Sequence, residues 1–223
     1  MNFQDTQLIG VLARAESTVS SLSDLLGGLV EKFVARGYSL YLVGGSVRDA
    51  LLDRLGNDLD FTTPARPEVV KEILDEWAET VWDTGIDFGT VSAAYKGQQI
   101  EITTFRSDSY DGQSRNPEVV YGDTLEGDLV RRDFKVNAMA IELLADATFK
   151  FHDPLHGLQD VADRVLDTPD KPEISFHDDP LRMLRAARFA SQLEFRVADR
   201  VVDAMRDMAG EIQRITVERV QVE

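Results

Sequence analysis

A short apolar run closed by two glycines, with a pair of aspartates at a fixed distance beyond it, constrains this 223-residue chain more than any other feature. Ser39–Val43 (SLYLV) reads as a buried strand, Gly44-Gly45 closes it, and Ser46–Leu55 reads as the helix that follows. A strand that ends in glycines and opens a helix lets backbone N–H groups approach an anion, and the helix N-terminus adds favourable potential. Gly-Gly can equally mark a tight turn and nothing more. The segment is neither a Walker loop nor a dinucleotide fingerprint, since both glycine spacings are missing. Thirteen residues after Gly45 comes Asp58-Leu59-Asp60. On a strand, side chains two apart share a face, so both carboxylates point the same way. Such crowding favours a hard cation such as Mg²⁺; a solvated strand end is the alternative. Glu101, in Ile100-Glu101-Ile102-Thr103, is either a third carboxylate of a two-metal site or an edge-strand surface acid.

The rest of the chain reads as α/β for about 130–140 residues and then all α. Residues 6–36 carry apolar positions at helical spacing, with a possible break at Gly27-Gly28 and an end at Gly37. Pro67–Thr80 reads as a helix. Leu59–Thr62, Thr90–Tyr95, Gln99–Phe105 and Ala138–Leu143 read as strands, with a hairpin-like turn at Lys96-Gly97. Trp77 and Trp82 are expected to pack against the sheet, and Asp75, Glu76 and Glu79 to form a solvated face. The three histidines are too scattered for a metal site. Asp167–Pro180, with three prolines in 14 residues, is the best boundary, and from Pro180 onward the pattern is helical. Asp179-Pro180 suits a helix start. Arg182, Arg185 and Arg188 then form a row on one side, although the helix dipole disfavours a cation in the first turn. An Arg-rich helix paired with acidic neighbours is the simpler account of that row.

Composition narrows the classes. The chain has 24 Lys+Arg against 40 Asp+Glu, a net charge of −16, and 43% hydrophobic residues, which suits a folded chain. The acidity argues against coating nucleic acid through bulk charge. It is uneven: residues 1–178 carry all of the excess, while residues 179–223 have eight charges of each sign. With no cysteine, a disulfide partner and thiolate zinc sites are excluded, and a reducing cytoplasm is expected. No apolar stretch is long enough to span a membrane, and the N-terminus does not read as a signal peptide.

Gly-Gly plus Asp-x-Asp at this separation resembles the nucleotidyltransferase superfamily of DNA polymerase beta. LVGGSVRDALLDRLGNDLDFTT resembles, more narrowly, the class II tRNA nucleotidyltransferase and poly(A) polymerase family. Further segments fit in order: Glu101–Val120, Arg131–Ala140 (RRDFKVNAMA), Asp153–Val161, Asp178–Phe195 (DDPLRMLRAARFASQLEF) and Glu218–Glu223. The resemblance implies an α/β (α+β) nucleotidyltransferase head with a mixed sheet, followed by an all-α neck. The corresponding divisions are an N-terminal helical extension (1–36), the head (37–166) and a truncated neck (167–223). It implies that Asp58 and Asp60 hold two catalytic Mg²⁺ ions with Glu101 as a third acid. Gly44, Gly45, Ser46 and Arg48 would serve the triphosphate, and Arg132, Asp133 and Asn137 would position the nucleotide. Asp179 and Arg182 would read the base edge, with Arg185 and Arg188 completing a cationic wall. The family pattern usually has Glu where this chain has Asp178.

Gly85–Val91 (GIDFGTV) resembles the CCA-adding type and lacks the basic pair of bacterial poly(A) polymerases, and the loop between Arg106 and Asp128 is long. The implied reaction is transfer of CMP, CMP and AMP from CTP and ATP to the 3′ end of tRNA, releasing pyrophosphate, in the cytoplasm. The alternatives are a poly(A) polymerase and a catalytically silent nucleotide-binding domain. Because Glu223 falls inside what resembles the last motif, this chain is expected to hold tRNA weakly, if at all.

Overall fold

The computed structural model describes residues 3–107, 120–146 and 148–223. It opens with a 33-residue helix, α1 (Phe3–Ala35), whose Val11, Ala15, Val19, Leu26, Leu29, Val30 and Phe33 form one buried stripe. The break expected at Gly27-Gly28 does not occur. Gly28 lies against Trp77, where a Cβ would meet the indole nitrogen at an ordinary contact distance of 3.5 Å. The helix ends at Gly37, whose φ is +80°. Tyr38 N–H reaches the Phe33 carbonyl and Gly37 N–H the Val34 carbonyl, the paired bonds of a glycine C-cap.

Seven strands form one mixed sheet. They are β1 (Leu40–Val43), β2 (Asp58–Thr63), β3 (Thr80–Trp82), β4 (Thr90–Tyr95), β5 (Gln98–Thr104), and two further along the chain. Those follow two short strands, β6 (Arg106–Ser107) and β7 (Val120–Tyr121), which pair with each other; they are β8 (Ala140–Leu143) and β9 (Phe149–His152). The order is β3-β4-β5-β2-β1-β8-β9, with only β2 and β5 parallel. The mixed sheet is as expected. The tight β4–β5 hairpin turns at Lys96 (φ +47°) and Gly97 (φ +78°), as the left-handed pair of a two-residue turn requires.

Helices α2 (Gly44–Leu51) and α3 (Pro67–Asp75) cover one sheet face together with α1. That face holds Leu42, Leu59, Phe61, Val91, Ala93, Ile100 and Ile102 in the core. The helix expected to run to Thr80 stops at Asp75, because Thr80-Val81-Trp82, β-branched and aromatic, pairs with β4. Trp77 packs on Tyr95 with ring centroids 4.0 Å apart, as expected, whereas Trp82 is 43% exposed. Glu76 is not simply solvated: it pairs with Lys32 and Arg36 of α1.

The remaining helices are α4 (Leu125–Val130), α5 (Gly157–Asp163), α6 (Pro172–Asp178), α7 (Leu181–Leu193), α8 (Asp199–Asp207) and α9 (Val217–Val222). The C-terminal segment is not wholly helical. Glu194 ends α7 in the left-handed region (φ +57°), and β11 (Arg196–Val197) pairs in parallel with β10 (Val165–Leu166). Ala186, Phe189, Leu193 and Phe195 join the same apolar cluster as the sheet. Among the described residues, no helix is long and apolar enough to cross a membrane.

Helix α5 braces the turn at Lys135–Asn137 from behind. Gly157 is pressed against that turn: a Cβ would intrude on the Lys135 carbonyl oxygen and lie 2.9 Å from its carbon and from Met139 Cγ. Backbone cannot yield as a flexible side-chain tip can, so overpacking here is costly. Gly157→Ala is expected to lose about 2–3 kcal/mol in chemical denaturation at pH 7.

Candidate active site

A cleft of about 410 Å³ opens where β1 passes into α2, walled on the far side by α7. Gly44 sits in the left-handed region (φ +66°) at the strand-to-helix junction. A Cβ on it would lie 2.9 Å from Arg132 Nη1 and 4.0 Å from Asp60 Oδ2. Glycine is favoured here by its conformation, and a Cβ would in addition push the Arg132 guanidinium tip aside. The N-cap residue of α2, Val43, has no side chain able to cap it, which leaves the helix N-terminus suited to an anion.

Asp58 and Asp60 share the open face of β2. Parallel pairing with β5 sets Glu101 directly beside Asp60. β5 lies between β2 and β4, so Glu101 is on an interior strand and not on an edge. Partial desolvation at the cleft floor, and then the Glu101 carboxylate, raise the Asp60 carboxyl above its ordinary range; Arg132 and Arg48 oppose this. Carboxylates that repel one another beside open space suit a divalent cation, and oxygen donors suit Mg²⁺. Among the described residues, no group of three acids or histidines is gathered closely enough to be a formed metal cage. The fit therefore rests on the Asp58–Asp60–Glu101 juxtaposition alone.

A buried hydrogen-bonded chain joins the cleft's cations. Asp133 Oδ1 accepts from Phe134 N–H (2.8 Å) and from Asn137 Nδ2 (2.9 Å). Asn137 Oδ1 accepts from Arg48 Nη1 at 2.6 Å. Asp133 Oδ2 accepts from Arg185 Nε and Nη2 at 2.8 and 2.7 Å. Burial works against the Asp133 charge, yet Arg185 and these donors hold its carboxyl below the usual carboxylate range. Phe189, 5% exposed, sits under three guanidinium groups: Arg188 at 4.3 Å from the ring centroid, Arg48 and Arg185 at 5.1 Å. Each such contact contributes roughly 0.5–2 kcal/mol and helps like charges lie together.

The other expected residues divide. Asp60, Gly45 and Asp179 line the cleft with Arg132 and Arg182, whereas Ser46, Asp58, Glu101 and Arg188 do not. The Ser46 hydroxyl faces β2, accepting from Asp60 N–H at 2.9 Å. Arg188 turns to Glu223 and Gln192. Arg182 donates to Ser175 Oγ and the Arg131 carbonyl. Asp179 caps α7 by accepting from Leu181 N–H at 3.2 Å, and its second oxygen pairs with Arg219 at 2.9 Å. Sequence reasoning missed Phe189, Arg219 and Asp128. The buried Asp128 carboxylate grips Arg132 Nη2 at 2.9 Å. Arg132 Nε is buried without a protein acceptor, a donor left over for an anionic ligand. The (i, i+4) spacing of Asp128 and Arg132 was the available signal. Residues 108–119 of the expected Arg106–Asp128 loop lie outside the described residues.

Residues 40–167 match the family model described as the poly(A) polymerase head domain. The chain belongs to that family. Among curated relatives, the CCA-adding enzyme of Lactobacillus helveticus is 43% identical over 188 residues, covering 84% of this chain and 45% of that protein. The CCA-adding enzyme of Enterococcus faecalis is 39% identical over 196 residues, 87% of this chain and 46% of that one. This head-domain chain thus spans about half the length of the curated relatives it matches. Among solved structures, the Bacillus stearothermophilus CCA-adding enzyme in complex with CTP superposes with a TM-score of 0.75 at 37% identity, over 88% of this chain and 46% of that one. A tRNA nucleotidyltransferase complexed with a primer tRNA and an incoming ATP analogue superposes with a TM-score of 0.70 at 27% identity, over 92% and 55%.

Removing one partner of a buried charge pair leaves the other uncompensated, so Asp133→Asn is expected to cost about 3 kcal/mol at pH 7. Because the folded pKa lies below the ordinary 3.8, this stabilisation is fully present well above that value and is lost as pH falls through the lower folded value. In denaturation curves the wild-type advantage over the variant should therefore hold from pH 7 down towards 4 and shrink only at more acidic pH.

Proposed function

We propose that this chain is the catalytic portion of a CCA-adding tRNA nucleotidyltransferase, which transfers CMP, CMP and then AMP from CTP and ATP to the tRNA 3′ end. The observation that carries this is the juxtaposition of a carboxylate group on an open sheet face with an arginine-walled cleft at a helix N-terminus, in a chain about 40% identical to CCA-adding enzymes. The proposed setting is the cytoplasm.

Asp58 and Asp60 would hold Mg²⁺, with Glu101 beside them; when bound, the metal would acidify the ribose 3′-hydroxyl and neutralise the triphosphate. The N–H groups of Gly44 and Gly45 and the guanidinium of Arg48 receive phosphate oxygens. Arg132, held by Asp128, lies between that region and Asp60, where negative charge develops on the transferred phosphoryl group. Asp133 orients Arg185 and, through Asn137, Arg48, so that the cations are set before the nucleotide arrives. Asp179 and Arg182, one an acceptor and the other a donor, read the base edge, and α7 holds them without a nucleic-acid template. Exclusive reliance on positioning and charge is what phosphoryl transfer needs, and no covalent intermediate on the protein is involved.

Incubation with tRNA lacking its CCA end and one labelled nucleotide at a time tests the reading. Incorporation from CTP followed by a single A supports it; long tails from ATP alone reject it in favour of poly(A) synthesis. Asp60→Ala should lower incorporation by about a thousandfold or more, several kcal/mol of transition-state stabilisation. Arg182→Ala should narrow the preference for CTP and ATP over other nucleotides, and unchanged selectivity would remove Arg182 from base reading.

A further inference from the structure

The sheet face opposite the helices carries a second surface. Positions paired across neighbouring strands share a face. Two such rows run outward from the aspartates: Asp60–Glu101–Ser92–Trp82, and Asp58–Gln99–Ala94–Thr80. In these two rows, between the carboxylates and the sheet edge, stand Ser92, Ala94, Gln99 and Thr80, short or uncharged side chains; the next row holds Thr103 and Thr90, the latter accepting from Arg106 Nη2 at 3.1 Å. At the edge stands Trp82, 43% exposed, and a second exposed aromatic, Phe88, lies in the turn that joins β3 to β4. The nucleotide cleft lies on the other side of Asp60, towards β1 and α7. Asp60 therefore separates two approaches, one walled with arginine and one lined mostly by short side chains and ending in an indole.

The geometry points to a single-stranded RNA 3′ end lying across β5, β4 and β3, with one of its bases stacked on Trp82. The proposal rests on the function proposed above and extends it to the acceptor strand. Three strand spacings of ~4.8 Å place Trp82 about 14 Å from Asp60. At ~3.4 Å per stacked base, that is the reach of a few nucleotides behind the reacting 3′-hydroxyl. Stacking is also the interaction this face offers. Neither row carries Lys or Arg, Asp83 and Asp87 flank the edge, and the neighbouring Arg106 is already engaged by Thr90, so stacking is the main grip the two rows offer. A base has a π-face whatever its identity, so a lone indole grips without reading sequence.

The test uses this chain, Mg²⁺, CTP and a single-stranded RNA hexamer ending in cytidine, in parallel with hexamers made abasic at one position at a time. Wild type is expected to bind the intact RNA roughly tenfold more tightly than the hexamer abasic at the stacked position. Trp82→Ala should bind intact RNA about tenfold more weakly and lose its discrimination against the abasic strand, while Trp82→Phe keeps most of it. A role for Trp82 in merely covering the sheet edge would shift the melting temperature but not the intact-to-abasic ratio. If Trp82→Ala retains the wild-type ratio, the platform is wrong, even when the chain still incorporates CMP. If wild type incorporates no nucleotide on any RNA yet shows the Trp82-dependent ratio, the platform stands and the proposed reaction falls.

Discussion

The buried Asp133 carboxylate is the contact on which the cleft's arrangement depends. It accepts from a backbone N–H, an amide and a guanidinium, and through Asn137 it reaches Arg48 on α2. Three separate pieces of chain, α2, the Lys135–Asn137 turn and α7, are thereby fixed to one anion. Satisfied on every side, a buried carboxylate specifies one arrangement; with a donor missing, it becomes a large penalty. Gly157 supports the same turn from behind, so packing and polar order act on one element.

The charge of −16 takes on a different meaning once it is placed. A few acids are internal clamps for cations: Asp128 on Arg132, Asp133 on Arg185, Asp167 on Lys135 and Arg200. Others stand together on the open face of β2 and β5, only partly offset by Arg132 and Arg48. Net charge predicts neither group, because it counts the clamps and the ligands alike. The acidity is compatible with a polyanionic substrate as long as the cations are the ones concentrated in the cleft.

Much of the fold was legible in the residues, and the failures have physical causes. The β1–Gly-Gly–α2 junction and the Asp-x-Asp strand are local features, set by backbone freedom and by period-two alternation. The end of α3 was not, because Thr80–Trp82 continues a helical pattern and only pairing with β4 decides the matter. Gly27-Gly28 suggested a break, but α1 continues through it because the flanking Leu26, Leu29 and Val30 are buried in the core. Phe189 drew no notice, since nothing local reveals that three arginines from two helices converge on it. The resemblance implied a role for Arg182 in the cleft, which it lines, but its anchors, Ser175 on the preceding helix and the Arg131 carbonyl 51 positions away, depend on the fold.

The parallel pairing of β2 with β5 acts as a ruler. The separation of Asp60 from Glu101 is set by backbone hydrogen bonds between strands, and side-chain packing has little say in it. Core substitutions that leave the register intact should leave this spacing intact as well, however much stability they cost. A slip of one residue would do the opposite: Glu101 would turn into the apolar core and Ile100 or Ile102 would face the aspartates. The site's dimensions are thus inherited from the pleat itself, which makes them robust to gradual change in sequence and intolerant of any insertion within either strand.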